Sequence, residues 1–253
     1  MSTPSTLALS VAMAVAAGLV GSFAVMRRMA LASDAMSHVA LPGIGVALAF
    51  RIHPLIGGMA MLFLGTLLIW TLERRTRVST ETIIGVVFSS ALAVGSMLTT
   101  GEDLVDALLG APLKLSATEL VLGLSGAAAV IAFVVTRRHH LVLALVSADI
   151  AQTSGIDVDR LNLAYLLAFA LTVGLGLRYL GVLLMGSLII IPAAVGKLLA
   201  RSLQQMLVIA VLVSLFATLV GEYVATLTHQ ATGPVIITVA ASVFLVASVA
   251  RRR

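Results

Sequence analysis

The residues of this chain best suited to chemistry are Asp34 and His38, in the run Asp34-Ala-Met-Ser-His38. Four positions apart on a helix, a carboxylate and an imidazole project from one face. Such a pair suits a divalent transition metal such as Mn²⁺ or Zn²⁺, both of which accept mixed oxygen and nitrogen donors. Two ligands do not close a coordination shell. The shortage fits a passage site that must release its ion, or a site completed by another helix or by a second copy of the chain. The same spacing also accommodates an aspartate capping a helix N-terminus and a histidine bonded to a neighbour. Leu41-Pro42-Gly43 follows about one turn later. Proline there removes a backbone donor and kinks the helix, and the freed carbonyls at such a break can serve as further oxygen ligands. A kink that only serves packing has the same signature.

Other candidates lie further along. Glu222 and His229 fall near the outer end of an apolar stretch. They fit a vestibule that accepts an ion and equally a solvated loop. Glu102, Asp103 and Asp106 make an acidic segment that raises local cation concentration or is simply hydrated. His53, beside Pro54, reads as interfacial, and His139 and His140 beside Arg137 and Arg138 as a basic loop. The run from Ser147 through Asp149 and Ala151 to Gly155 has helix-forming length and a glycine stop. It suits docking on a separate motor, or a plain connecting turn. No G-x-x-x-x-G-K-[ST] or H-E-x-x-H occurs, so neither a phosphate loop nor a zinc-protease signature is present. No cysteine is available for thiolate sites or disulfides.

The elements that position these residues must lie in a bilayer. Of 253 residues, 60% are hydrophobic and 11% charged, against roughly 25% charged in soluble domains, and mean hydropathy is +1.13. There is too little polar surface to clothe a water-soluble globule. Nine stretches approach the roughly 20 apolar residues that a spanning helix needs: 7–26, 35–50, 54–72, 82–100, 120–136, 161–177, 179–196, 202–221 and 230–250. The stretches 35–50 and 179–196 are short and hold Pro42 and Pro192, so eight to ten spans fit. Alternation of period two is absent, which leaves an all-α, polytopic transmembrane helix bundle with a short cytoplasmic segment between the fifth and sixth spans. With no basic n-region ahead of it, the first stretch reads as a retained span. An outside N-terminus places thirteen Lys and Arg in inner loops and three (Arg51, Lys114, Arg178) outside, a strong positive-inside bias. The basic excess therefore follows topology, and no basic and aromatic cluster suggests nucleic acid. Gly85, Ser89 and Ala93 share a face and predict close helix packing. The whole chain, 1–253, reads as one transmembrane domain.

The run Arg27-Arg28-Met29-Ala30-Leu31-Ala32-Ser33-Asp34-Ala35-Met36-Ser37-His38-Val39-Ala40-Leu41-Pro42-Gly43 resembles the signature of permease subunits of bacterial zinc, manganese and iron ABC importers. Glu81 to Ser89, Gly181 to Ala194 and Gly233-Pro234 are similar to the same family in the expected order, so the likeness runs from Arg27 to about Val246. The resemblance implies a homodimeric permease in the bacterial inner membrane, joined by two cytoplasmic ATP-binding subunits and an extracytoplasmic metal-binding protein. Asp34 and His38 match the family residues that meet the metal, and the segment of Ser147, Asp149, Ala151 and Gly155 matches its coupling helix. The chain itself would be no enzyme, with ATP spent on the partner and Mn²⁺ or Zn²⁺, possible also Fe²⁺, as cargo. The outer stretch from Gly221 to Pro234, with His229 and Gln230, departs from the shorter, more apolar family pattern. An ATPase-independent secondary metal transporter is the alternative, and an intramembrane enzyme using Asp34 and His38 as an acid/base pair is a more distant one.

Overall fold

The computed structural model describes residues 4–76, 78–98, 117–180 and 182–251. Glu102, Asp103, Asp106 and Lys114 lie outside the described residues, as does Gly181. The described residues form eleven helices and no strand. In chain order these are α1 (Pro4–Met26), α2 (Ala32–Val39), α3 (Leu41–Ala49), α4 (Pro54–Arg75), α5 (Thr80–Leu98), α6 (Ala117–Val146), α7 (Ala148–Thr153), α8 (Val158–Leu180), α9 (Val182–Leu199), α10 (Leu203–Thr228) and α11 (Thr232–Arg251). Seven of them (α1, α4, α5, α6, α8, α10 and α11) are long and apolar enough to cross a membrane. The chain is an integral membrane protein. The apolar part of α9, Leu184–Leu199, is shorter, and the stretch 35–50 is divided between α2 and α3.

That division has a local cause. Residue 42 would donate its amide to the carbonyl of residue 38 in an unbroken helix, and proline has no amide to give. The Ala40 N–H turns to the His38 carbonyl, and Pro42 becomes the opening turn of α3. The chain at Ala40 stays in the right-handed region (φ −69°, ψ −26°), so α3 follows α2 without an intervening loop. Gly43 then lets α3 lie against Gly57 of α4: a Cβ added at either glycine would stand 2.1 Å from the other's carbonyl oxygen.

α1 is the central helix, with Met13, Ala14, Ala17, Val20 and Phe23 wholly buried. Its small residues admit neighbours closely, since a Cβ at Gly21 would reach to 2.0 Å from the Ile189 carbonyl oxygen of α9. Tyr165 of α8 stacks near Phe23 and Phe169 and donates its hydroxyl to the Val20 carbonyl at 3.1 Å. α1 ends in a turn where Met29 N–H reaches the Ala24 carbonyl (2.8 Å) and Arg28 N–H the Val25 carbonyl (3.3 Å). This is a Schellman closure with Arg28 at φ 62°, where glycine is the usual occupant.

One sequence expectation is corrected, and another finds no partner helix among the described residues of one chain. Stretch 120–136 is not bounded by Arg137: α6 continues to Val146, because Leu141 is fully buried and Val142 and Ala144 pack on the core, so the helix pays for its polar Arg137–His140 turn. The face of Gly85, Ser89 and Ala93 meets no helix among the described residues; nothing lies within 4 Å of a Cβ at Gly85, and Ser89 and Ala93 are exposed.

Candidate functional site

Asp34 and His38 both stand on α2, one turn apart, beside the Ala40 junction. The capping alternative fails. The N-cap position is Leu31, whose side chain cannot accept, and Asp34 sits in the first turn, where the helix dipole favours a carboxylate without a cap. The opposite edge of α2 is fastened by hydroxyls. Ser37 Oγ donates to the Ser33 carbonyl (2.8 Å), and Ser33 Oγ donates across to the Gly186 carbonyl of α9 (3.3 Å). Gly186 lies beneath the acid, its hypothetical Cβ 3.5 Å from Asp34 Cα. With Ser33 and Ser37 buried, the Asp34 side chain is left exposed and His38 half-buried.

His38 meets Phe88 of α5 edge-on, with ring centres 5.5 Å apart and planes at 62°. Its Nδ1 is buried and has no hydrogen-bond partner. An unpaired buried ring nitrogen costs on the order of 1–3 kcal/mol, so it calls for a ligand. An imidazole nitrogen and a carboxylate one turn away make a mixed donor pair for a borderline transition-metal ion. Among the described residues no three His, Asp or Glu side chains come together.

Glu222 and His229 are not brought to this pair. Glu222 is half-buried on α10 with Oε2 unpartnered, four and eight positions from Thr218 and Ser214, whose hydroxyls are also buried and unpartnered. His229 caps the end of α10 in the left-handed region (φ 53°) and is exposed. His53 caps α4, accepting the Leu55 N–H at Nδ1 (3.3 Å).

The segment 147–155 is the short helix α7. Ser147 caps it, accepting the Ile150 N–H at 3.3 Å, and Gly155 (φ 80°) ends it, with Ile156 N–H returning to the Ala151 carbonyl at 3.0 Å. Ala151 is fully buried, while Asp149, Ile150 and Gln152 are exposed beside the exposed Val146. An amphipathic stub anchored by one alanine is a surface that another protein can grip.

Sequence reasoning missed Phe88 as a neighbour of His38, and it missed a polar cluster at the arginine-rich ends of the helices. There the Asn162 side chain of α8 accepts from Arg27 Nη1 and donates to Glu73 Oε2 at 2.8 Å. The available signal was a set of polar residues, Glu73 and Asn162, at the margins of otherwise apolar spans.

Residues 3–251 match the ABC 3 transport family. The high-affinity zinc uptake system membrane protein ZnuB of Haemophilus influenzae is 29% identical over 92% of this chain and 91% of its own length. The manganese transport system membrane protein MntC of Halalkalibacterium halodurans is 30% identical over 91% of this chain and 80% of its own. Among solved structures, PsaBC from Streptococcus pneumoniae in complex with Fab has a TM-score of 0.81 at 26% identity, covering 96% of this chain and 89% of that one. With every described helix inside the matched range and the same fold in a solved relative, the chain belongs to the ABC 3 transport family.

Proposed function

We propose that this chain is the membrane-spanning permease domain of an ATP-binding-cassette importer that carries a divalent transition metal ion, Mn²⁺ or Zn²⁺, inward across the bacterial inner membrane. Two copies form the pathway, two cytoplasmic ATP-binding subunits drive it, and an extracytoplasmic metal-binding protein supplies the ion. The observation that carries the reading is the Asp34 and His38 pair at a proline-broken membrane helix, with His38 Nδ1 buried and unpaired. The zinc and manganese relatives support the cargo class. A two-ligand site fits passage, because an ion held by a full protein shell is slow to leave.

In this scheme Asp34 and His38 replace part of the water shell of the ion, and the exposed face of α7 receives the ATP-driven motion through Asp149 and Ile150. The Pro42 and Gly43 junction gives α2 freedom to tilt relative to α3. The test is Asp34→Ala and His38→Ala in the assembled complex reconstituted into liposomes, with ATP-dependent uptake of Mn²⁺, Zn²⁺ and Fe²⁺ compared. Each substitution is expected to lower uptake by about a hundredfold, the usual scale for loss of a metal contact, with assembly and ATPase binding intact. Normal uptake by the double variant removes the site. Absence of any co-purifying nucleotide-binding subunit favours a secondary carrier.

A further inference from the structure

We propose that Arg27, Glu73 and Asn162 are positioning residues that transmit movement of the α7 segment to the helix carrying Asp34 and His38; this rests on the import function above. The cluster joins three helix ends through one carboxamide and a fourth through the Glu73 carboxylate. Asn162 Oδ1 accepts from Arg27 at the end of α1, Asn162 Nδ2 donates to Glu73 Oε2 of α4 at 2.8 Å, and Glu73 Oε1 accepts from Thr80 Oγ1 of α5 at 2.5 Å. The Arg27 guanidinium also lies over the Tyr165 ring, 4.3 Å from its centre. A second layer fastens the same two helices: Arg74 pairs with Asp159 at 3.0 Å and covers Trp70, whose indole N–H donates to the Asp159 carbonyl at 3.2 Å.

Its place in the chain gives the cluster its role. Asn162 lies in the second turn of α8, which begins five residues after the last residue of α7, so displacement of α7 reaches it through one helix start. Asp157 stiffens that start by accepting the Arg160 N–H at 3.0 Å. On the other side Arg27 is followed at once by Arg28 in the left-handed region, and the turn through Met29 leads into α2 and Asp34. No other short segment separates the cluster from the proposed metal ligand. A side-chain amide donates and accepts at the same time, so Asn162 bridges a cation and an anion that do not meet directly. Removing one member leaves its partners half-buried and unsatisfied, so the links hold or fail together and tie the motion of α8 to that of α1 and α4.

The variants follow from that chemistry. Asn162→Leu keeps the size and cuts both links. Asn162→Asp keeps the link to Arg27 and places a second carboxylate against Glu73. Glu73→Gln keeps hydrogen-bonding atoms and removes the charge facing Arg27, and Thr80→Val removes only the outermost link. The experiment uses the complete complex in liposomes with Mn²⁺ as probe, and reads ATP hydrolysis and uptake together. Asn162→Leu and Asn162→Asp are expected to leave hydrolysis within about twofold and to lower uptake per ATP by about tenfold, with Thr80→Val close to the parent. A role in folding alone lowers hydrolysis and uptake in proportion through loss of complex, and that outcome overturns the proposal, as does an unchanged ratio. A second readout needs no cargo: amide hydrogen exchange over residues 28–35 should quicken by about tenfold in Asn162→Leu while the middle of α1 keeps its protection. Unchanged exchange there also overturns it. If Asn162→Leu does not assemble, Asn162→Asp and Glu73→Gln carry both measurements with the same expected drop in uptake per ATP and the same quickened exchange, and Thr80→Val remains the control. Failure of the import reading is recognised separately, as a parent complex that moves no metal with ATP.

Discussion

Ser214 and Thr218 carry hydroxyls that are fully buried and bonded to nothing. The other fully buried hydroxyls, on Ser10, Ser22, Ser33, Ser37, Thr66 and Thr172, each donate to a backbone carbonyl. A buried polar group without a partner costs about 1–3 kcal/mol, and replacing it by an apolar group of the same shape recovers part of that. Ser214→Ala and Thr218→Val should therefore each stabilise the protein by about 1 kcal/mol, read as a higher apparent melting temperature in detergent. A lower one shows that the two hydroxyls bond in solution. At this scale the sequence was legible where partners are close along the chain. Asp34 and His38 declare themselves by a four-residue interval. Arg27 and Asn162 are 135 positions apart and Glu73 and Asn162 are 89, so nothing local announces that one carboxamide joins them. Phe88 was within reach of inspection, but which residue of α5 faces His38 depends on how α2 and α5 are rotated about their axes.

The helices themselves were legible to within a few residues, because a bilayer imposes length and apolarity together. Pro42 announced the break between α2 and α3 for a reason that is purely chemical. The extension of α6 was missed because Arg137 to His140 look like the end of a span, whereas the helix continues on the strength of Leu141 buried behind them. What composition cannot show is which small residues meet other backbones. Gly43 and Gly57 each place the other's carbonyl oxygen 2.1 Å from a hypothetical Cβ, while Gly85 has open space. No side-chain rotation relieves a clash with backbone, so Gly43→Ala and Gly57→Ala should push α3 off α4 and destabilise by about 3 kcal/mol or more. Gly85→Ala, whose added Cβ meets nothing within one chain, is the control for packing inside the chain. Expression followed by gel filtration checks this: the first two variants lose the monodisperse peak and the third keeps it. Equal behaviour of all three contradicts the tight α3 and α4 contact.

At the scale of the whole molecule, the proposed import function asks for two copies of the chain around one passage. Asp34 is exposed, His38 shares its contact with α5, and the small-residue face of α5 is uncovered by any described helix of the same chain. Large apolar residues stand exposed on α5 as well, Met97 at 85% and Val86 at 59%. In lipid such residues need no cover, but Gly, Ser and Ala in register let a second backbone approach closely. If two copies meet there, the Asp34 and His38 of each flank one axis, and four side-chain ligands replace two. The arrangement predicts that ligands from both copies serve one ion. Two differently tagged chains, one intact and one carrying Asp34→Ala and His38→Ala, can be co-expressed and the mixed dimer isolated by sequential affinity steps. With a shared site the mixed dimer has two ligands in place of four, and Mn²⁺ uptake should fall to less than about one tenth of the parent, since loss of even an outer-shell partner of a metal ligand costs about tenfold or more. With an independent site in each copy, uptake should fall only to about half, since one of two equivalent paths survives. The intermediate value is therefore the informative one: half-activity places the passage inside each copy and separates Asp34 and His38 from the axis, whereas near-complete loss ties the two α2 helices to a single ion.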